Sequence, residues 1–257
     1  MNQPILECRD IGYSYHNLKG ETQALANISF QVNQGEFLAI VGPSGCGKST
    51  LLSIIAGLLS PEQGRVILSS DENVKLGYML QQDHLLEWRT IYKNILLGPE
   101  ITNTVTPEKE KLALKLLKDY GLLKFKDKKP SELSGGMKQR VALIRTMVME
   151  PSILLLDEPF SALDYQTRLT VSADIGNIIR NAGITTILIT HDLSEAISLA
   201  DRILVLSKRP AIVKKDIPVH LTLTDNSPLA ARNAPEFHRY FNLLWKEISD
   251  EYDEIKQ

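Results

Sequence analysis

One stretch constrains this chain more than any other: Gly42-Pro43-Ser44-Gly45-Cys46-Gly47-Lys48-Ser49-Thr50, which fits the pattern G-x-x-x-x-G-K-[ST]. The pattern has meaning only where a strand delivers the chain into the glycine turn and a helix carries it away. Both flanks have that character. Phe37-Leu38-Ala39-Ile40-Val41 is a short apolar run of strand formers, and Thr50 to Ala56 reads as a buried helix closed by Gly57. In that setting the glycines let successive backbone N–H groups converge on phosphate oxygens. The helix N-terminus adds the positive end of its dipole, and Lys48 supplies a point charge for β- and γ-phosphates. Ser49 is then placed to ligate Mg²⁺. Gly42 through Thr50 are therefore the candidate nucleotide-binding residues.

Length and charge narrow the class further. A chain of 257 residues holds one large domain, or a core with a sizeable insertion. A formal net charge of -2 argues against a nucleic-acid binder that works by charge alone. The two cysteines, Cys8 and Cys46, do not make a disulfide framework, since one lies inside the phosphate loop, and a reducing compartment is the expected home. Apolar runs such as Ile153-Leu154-Leu155-Leu156 stop far short of the roughly 20 residues that span a bilayer. The start, Met1-Asn2-Gln3-Pro4, lacks the basic and apolar regions of a signal peptide. The expectation is a soluble, cytoplasmic protein.

Read in order, the chain begins with short strands separated by turns: Ile5 to Cys8, Ile28 to Val32, and Asn33-Gln34-Gly35-Glu36 turning into the strand before the phosphate loop. This predicts an antiparallel β layer beside the nucleotide site. Tyr13 and Tyr15 fall in it; from the residues alone, packing is favoured over stacking on a base. Arg65 to Leu68 and Lys75 to Leu80 read as further strands, the second running into Gln81, whose amide can either reach a bound metal and its water or lie on the surface. Leu85, Leu86, Trp88 and Ile91 form an apolar cluster with no clear period, either core or a docking hot spot. A helix starts at Thr106-Pro107-Glu108, carries Leu112, Leu116, Leu117 and Tyr120 on one face and ends at Gly121; Lys124 to Lys129 is read as a solvated loop. Residues of about 82–150 are thus predicted to be a helical insertion.

Strands then resume. Ile153 to Leu156 is continuously apolar, as in a parallel sheet buried on both faces, and ends in Asp157-Glu158-Pro159. Thr185 to Thr190 ends in His191-Asp192, and Asp201 to Leu206 follows a helical segment. Strand–helix alternation implies an α/β sheet, in which ligands bind beyond the carboxyl ends of strands. The polar residues gather at those ends. Asp157 can complete a Mg²⁺ shell with Ser49, with Gln81 as a further candidate ligand. Glu158 can act as general base on the attacking water, and His191 can contact the γ-phosphate from another strand end. Each has an ordinary structural reading alone; the joint pattern with the phosphate loop favours chemistry.

A second glycine turn, Leu133-Ser134-Gly135-Gly136-Met137, precedes a helix predicted from about Met137 to Met149, and so offers a second anion-binding helix start. One phosphate loop leaves it without a use in its own chain. Two copies arranged head to tail about a two-fold axis, each giving this turn to the other's ATP, resolve the excess.

Taken together, the phosphate loop, Leu133 to Met137, Ile153 to Pro159, Ser161-Ala162-Leu163-Asp164 and His191 resemble the ATP-binding subunit of ABC transporters over about residues 5–206. The resemblance implies an α/β fold with a P-loop NTPase (RecA-like) core, an antiparallel β layer and a helical signature subdomain. It implies an ABC ATP-binding domain over 1–210, with about 82–150 inserted, and an extension over 211–257 carrying an amphipathic helix. It also implies that Tyr15 stacks on adenine, against the packing favoured above, and that Gln81 senses the γ-phosphate and the membrane subunit. Ser134, Gly135 and Gly136 would close on the partner's nucleotide, and Asp164 would couple the two sites. The implied cofactors are ATP and Mg²⁺. The implied partners are a second copy, integral membrane permease subunits and, indirectly, an extracytoplasmic solute-binding protein, with no nucleic acid; the implied location is the cytoplasmic face of the cell membrane. Gln81 followed by Leu85-Leu86-Glu87-Trp88-Arg89-Thr90, with Met137 after the signature glycines, is similar to the nitrate, sulfonate and taurine importer branch, and related pyrimidine-precursor importers look similar. Leu80 stands where an aromatic usually precedes the glutamine, and Glu87 where proline usually precedes Trp88. Both lie in the region that meets the membrane subunit in that family.

In the last fifty residues, Phe237, Tyr240, Phe241, Leu244, Trp245 and Ile248 recur at helical spacing after Pro235, which predicts a helix packed on the chain's own core. Two other classes share parts of the pattern. A nucleic-acid-linked ATPase of repair or translation calls for coiled-coil arms, a second cassette or a basic surface. A small-molecule kinase leaves Ser134 to Gly136 unexplained.

Overall fold

The computed structural model describes residues 4–18, 20–69, 74–223 and 228–253. Its elements follow in the order β1 (Pro4–Asn17), β2 (Gly20–Asn33), β3 (Phe37–Val41), α1 (Lys48–Ile55), β4 (Gln63–Leu68), β5 (Leu76–Met79), α2 (Ile91–Ile95), α3 (Leu97–Ile101), α4 (Pro107–Asp119), α5 (Gly135–Met147), β6 (Ile153–Asp157), α6 (Tyr165–Ala182), β7 (Thr185–Ile189), α7 (Leu193–Leu199), β8 (Arg202–Leu206), β9 (Val213–Pro218), α8 (Pro228–Arg232) and α9 (Phe237–Asp253). No helix among the described residues is long and apolar enough to cross a membrane.

The strands sort into two sheets according to how many of their faces are apolar. β1, β2 and β4 form an antiparallel sheet in the order β2-β1-β4. Toward the end of β2, Ile28, Phe30 and Val32 are buried while Ser29, Gln31 and Asn33 are exposed, as expected for a layer with one face on the core and one in water. The second sheet has the order β5-β6-β7-β3-β8-β9 and is parallel except for β9, which runs antiparallel to β8. Its central strands are buried residue by residue because both faces are covered. Side chains alternate across the pleat. Phe37, Ala39 and Val41 of β3, with Leu154 and Leu156 of β6, pack toward the helical side. Leu38 and Ile40, with Ile153 and Leu155, pack toward α1 and the antiparallel sheet.

Between residue 82 and β6 the regular elements of the described residues are all helices, joined by loops. Thr106 caps α4 by accepting from Lys109 N, and Pro107 occupies the first turn. The predicted apolar cluster splits: Ile91 is fully buried and Leu85 nearly so, whereas Trp88 is 74% exposed. α5 begins at Gly135, so both glycines lie in its first turn and do not precede it; Ser134 is the N-cap and accepts from Met137 N. Strand β9 lies past residue 210 and completes the core sheet. Beyond it α9 packs on α7 through the buried Phe237 and Leu244, with Trp245 turned outward.

Candidate nucleotide site

Because β3, β6 and β7 are parallel neighbours, their carboxyl ends share one edge of the sheet. From those ends emerge the phosphate loop after Val41, Asp157 with Glu158, and His191 two residues past β7. The fold therefore brings together groups that lie up to about 150 residues apart in sequence.

Two glycines in the loop have explicit steric reasons. A Cβ on Gly42 would lie 2.9 Å from the carbonyl oxygen of Leu206, which β8 holds in place. Gly47, with φ +122, sits in a backbone region that side chains disfavour, and a Cβ there would meet Leu25 at 2.9 Å. The Lys48 ammonium is buried and donates to Gly42 O and Pro43 O, both at 2.9 Å. Two of its three donors thus fix the side chain along the loop, leaving one for a phosphate oxygen. Arg209 donates to Gly45 O and braces the loop's tip from the far side.

Ser49 Oγ donates to Asp157 Oδ1 at 3.0 Å, so hydroxyl and carboxylate already meet. Tyr78 OH donates to the other oxygen, Oδ2, at 3.4 Å. Burial raises the Asp157 carboxyl above its ordinary value, with the neighbouring Glu158 adding to the rise and the Ser49 hydrogen bond opposing it. This donor set is entirely oxygen, the chemistry that suits a hard dication.

Glu158 has φ +44, a left-handed backbone that is uncommon for a long side chain and is found where function holds it. Its N–H donates to Ile189 O at 2.9 Å, tying the turn to the end of β7. The carboxylate is thereby aimed at His191, whose Nδ1 lies 3.1 Å from Glu158 Oε2, while Gln81 Nε2 donates to the same oxygen at 3.3 Å. Gln81 also reaches Ser161 Oγ at 3.5 Å, so in this conformation it stands beside Glu158 and not beside Ser49. Gly42, Ser44, Lys48, Glu158 and His191 line one cavity of about 650 Å³.

Tyr15 is 42% exposed, its ring edge-on to Tyr13 at 5.0 Å and its hydroxyl 2.9 Å from Thr50 Oγ1. The ring is neither buried in the β layer nor remote from the loop. Cys46 contributes backbone to the loop, but its thiol turns inward, 2% exposed, and burial raises it above the ordinary thiol value. Asp164 caps α6 through Thr167 N at 3.0 Å, and that backbone hydrogen bond holds its carboxyl below the usual range. Ser134, Gly135 and Gly136 do not line the cavity. Gly136 has a steric role of its own, since a Cβ there would come within 2.8 Å of Thr167 on α6.

Sequence reasoning missed four participants. Tyr78 lies within a recognised strand, but only the pairing of β5 with β6 brings it to Asp157. Arg168 of α6 donates to Leu163 O at 3.0 Å and lies 3.6 Å from Asp192, so it links the turn before Asp164 to the segment after His191. Glu195 is buried and accepts from Thr190 Oγ1 at 2.6 Å. The helix-start signal Asp192-x-x-Glu195 was available to flag it, yet its carboxylate turns to Thr190 and not to the cap. Arg209 carries no local signal at all.

A parallel sheet with a phosphate loop at a central strand and a carboxylate pair and histidine on adjoining strand ends defines a P-loop nucleotide hydrolase. The chain belongs to the ABC transporter family, whose profile matches residues 25–161. It is 44% identical to an uncharacterised ABC transporter ATP-binding protein, YtlC, of Bacillus subtilis, over 95% of this chain and 96% of that one. It is 38% identical to the taurine import ATP-binding protein TauB of Roseobacter denitrificans, over 87% of each chain. It is also 35% identical to the nitrate import ATP-binding protein NrtD of Synechocystis sp., over 91% of each. Among solved structures it is similar to the dimeric post-hydrolysis state of the ATP-binding cassette MJ0796 bound to ADP and Pi, with a TM-score of 0.71 and 32% identity, covering 84% of this chain and 99% of that one. The fold is that of an ABC ATPase cassette, and ATP binding and hydrolysis are its activity.

Proposed function

We propose that two copies of this chain close head to tail around two ATP and drive a separate pair of membrane permease subunits, importing a small solute such as nitrate, a sulfonate or taurine. One observation carries the two-copy arrangement: the Ser134–Gly136 turn opens α5 with its N-terminal N–H groups, yet is absent from the cavity that holds Lys48, Glu158 and His191. A second copy supplies it. The dimeric MJ0796 cassette supports this reading, and the relatives named as taurine and nitrate import proteins support the cargo class. In that setting the chain works as a peripheral subunit on the cytoplasmic face of the membrane, with a solute-binding protein upstream of the permease.

In this reading residues 1–210, completed by β9, form the ATP-binding domain, residues of about 82–150 its signature subdomain, and α8 with α9 the extension. Gly42 to Thr50 wrap the phosphates and Tyr15 faces the base. Ser49 and Asp157 would hold Mg²⁺, which when bound would offset phosphate charge, and Gln81, which now stands beside Glu158, would join them on turning toward Ser49. Glu158 takes the proton from the attacking water as the water oxygen bonds to the γ-phosphorus and the bond to ADP breaks. His191 orients Glu158 and the phosphate together, and Asp164, at the cap of α6, meets the second copy.

Glu158→Gln keeps the shape and removes the base. ATP binding should persist, turnover should fall by about 10²–10⁴-fold, and sedimentation should show an ATP-dependent dimer. Full turnover in that variant would overturn the assignment of the base. Purification from a native membrane extract tests the partner class: an integral membrane protein should accompany the chain, and recovery with nucleic acid alone would sink the transport reading.

A further inference from the structure

The cavity of the nucleotide site has a wall that no element of the catalytic edge provides. Besides Lys48, Glu158 and His191, it is lined by Trp245 and Ile248 of α9. Trp245 is 60% exposed and stacks on Phe241, with ring centroids 6.3 Å apart and planes within 7°. An indole and a branched alkyl group offer phosphate oxygens at most one N–H donor, so this wall is not a phosphate ligand.

α9 is held in place by its core-facing stripe, to which Tyr240, Phe241 and Ile248 also belong. Phe237 and Leu244 are buried against the core. Lys214 Nζ donates to Glu247 O at 2.8 Å, Glu236 accepts from Thr222 Oγ1 at 2.7 Å, and His220 N donates to the Tyr240 hydroxyl at 3.0 Å. Its packing partner α7 begins two residues after His191. The helix is thus fastened to the rim of the site, where Trp245 and Ile248 share one cavity with Lys48, Glu158 and His191.

We propose that α9 is an intramolecular strap: its Trp245–Ile248 edge occupies the face of the cleft that a second copy's Ser134–Gly136 turn must reach, so strap docking and closure of the two-copy site exclude each other. The inference rests on the two-copy reading given above. Two groups cannot fill one volume, so closure displaces the edge of α9, and weakening the strap favours closure by mass action. Because the strap bears on α7, whatever engages the C-terminal helix gains control over ATP turnover.

The chain's two tryptophans are Trp88 and Trp245, so Trp88→Phe leaves Trp245 as sole reporter. In a Trp88→Phe, Glu158→Gln background, MgATP should change the emission of Trp245 in step with dimer formation followed by sedimentation. A dimer that forms while Trp245 emission stays constant overturns the strap and leaves the two-copy reading intact; no ATP-dependent dimer at all overturns both. Separately, Trp245→Ala, which spares the core-facing Phe237, Leu244 and Ile248, should lower the protein concentration at half-dimerisation about tenfold, equivalent to the loss of one modest apolar contact. Unchanged or weaker dimerisation, with circular dichroism showing the fold retained, rejects the proposal. Truncation before α8 is the less discriminating variant, because it also exposes core.

Discussion

Glu195 should make the stability of this protein fall as pH rises, and replacing it with glutamine should remove that fall. Its carboxyl is 3% exposed at the start of α7 and is raised from 4.5 to about 7. Burial is the largest cause, and the carboxylate of Asp192 adds to it; the Thr190 hydroxyl, Arg168 and Arg232 act in the opposite sense and do not overcome it. Arg168 Nε stays 4.0 Å away and is itself without a hydrogen-bond partner, so the ion pair is incomplete. The raised value means that the folded state binds the proton more tightly than the unfolded chain does. The contribution of Glu195 to stability is therefore fully present below pH 4.5, declines through the window from 4.5 to about 7, and is lost above it. Integrated from pH 5 to 8, a shift of that size amounts to roughly 2–3 kcal/mol. Glu195→Gln keeps an oxygen that accepts from Thr190 but cannot ionise. Urea unfolding midpoints at pH 5 and pH 8 should show the variant gaining on the parent by that amount at the higher pH. Parallel stability profiles for the two proteins would refute the argument, because they would mean that Glu195 ionises in the folded state without cost.

Other expectations follow from the same geometry. Gly42→Ala places a methyl 2.9 Å from the Leu206 carbonyl, part of a sheet that cannot yield, so ATP affinity should drop by at least tenfold in equilibrium binding while secondary structure persists. Lys48→Ala removes the charge meant for the phosphates, and unchanged ATP binding would contradict the role of the loop. Both thiols are buried and raised, Cys8 to about 12, so neither should react with iodoacetamide in the folded protein at pH 8, with or without ATP, and both should react in urea. Mass spectrometry of the alkylated chain checks this. Leu156→Ala, in the fully covered strand β6, should cost about 2–5 kcal/mol in chemical unfolding.

Local chemistry was legible wherever the residue pattern has a single physical solution. The phosphate loop needs glycines where backbone crowds it, and Gly42 and Gly47 show what a side chain would strike. Ile153 to Leu156 had to be a strand covered on both faces because no residue in it tolerates water. The capping signal of Thr106 marked a real helix start, and the second glycine turn marked another, though its two glycines proved to lie inside α5, with Ser134 as the N-cap. Trp88 and Ile91 could not be separated in sequence because one apolar cluster can face both core and solvent; the structure buries the second and exposes the first.

What the sequence alone determined was a set of candidate reacting groups and the need for a strand, turn and helix around the phosphate loop, because those follow from spacing within a few residues. Only the tertiary structure decided which groups meet. The register of β5 on β6 brings Tyr78 to Asp157, the positive φ of Glu158 turns its carboxylate toward His191, and α9 returns from the end of the chain to wall the cavity with Trp245. These contacts join segments tens to hundreds of residues apart, and their positions depend on how the buried faces of the sheet and helices pack, which no local pattern encodes.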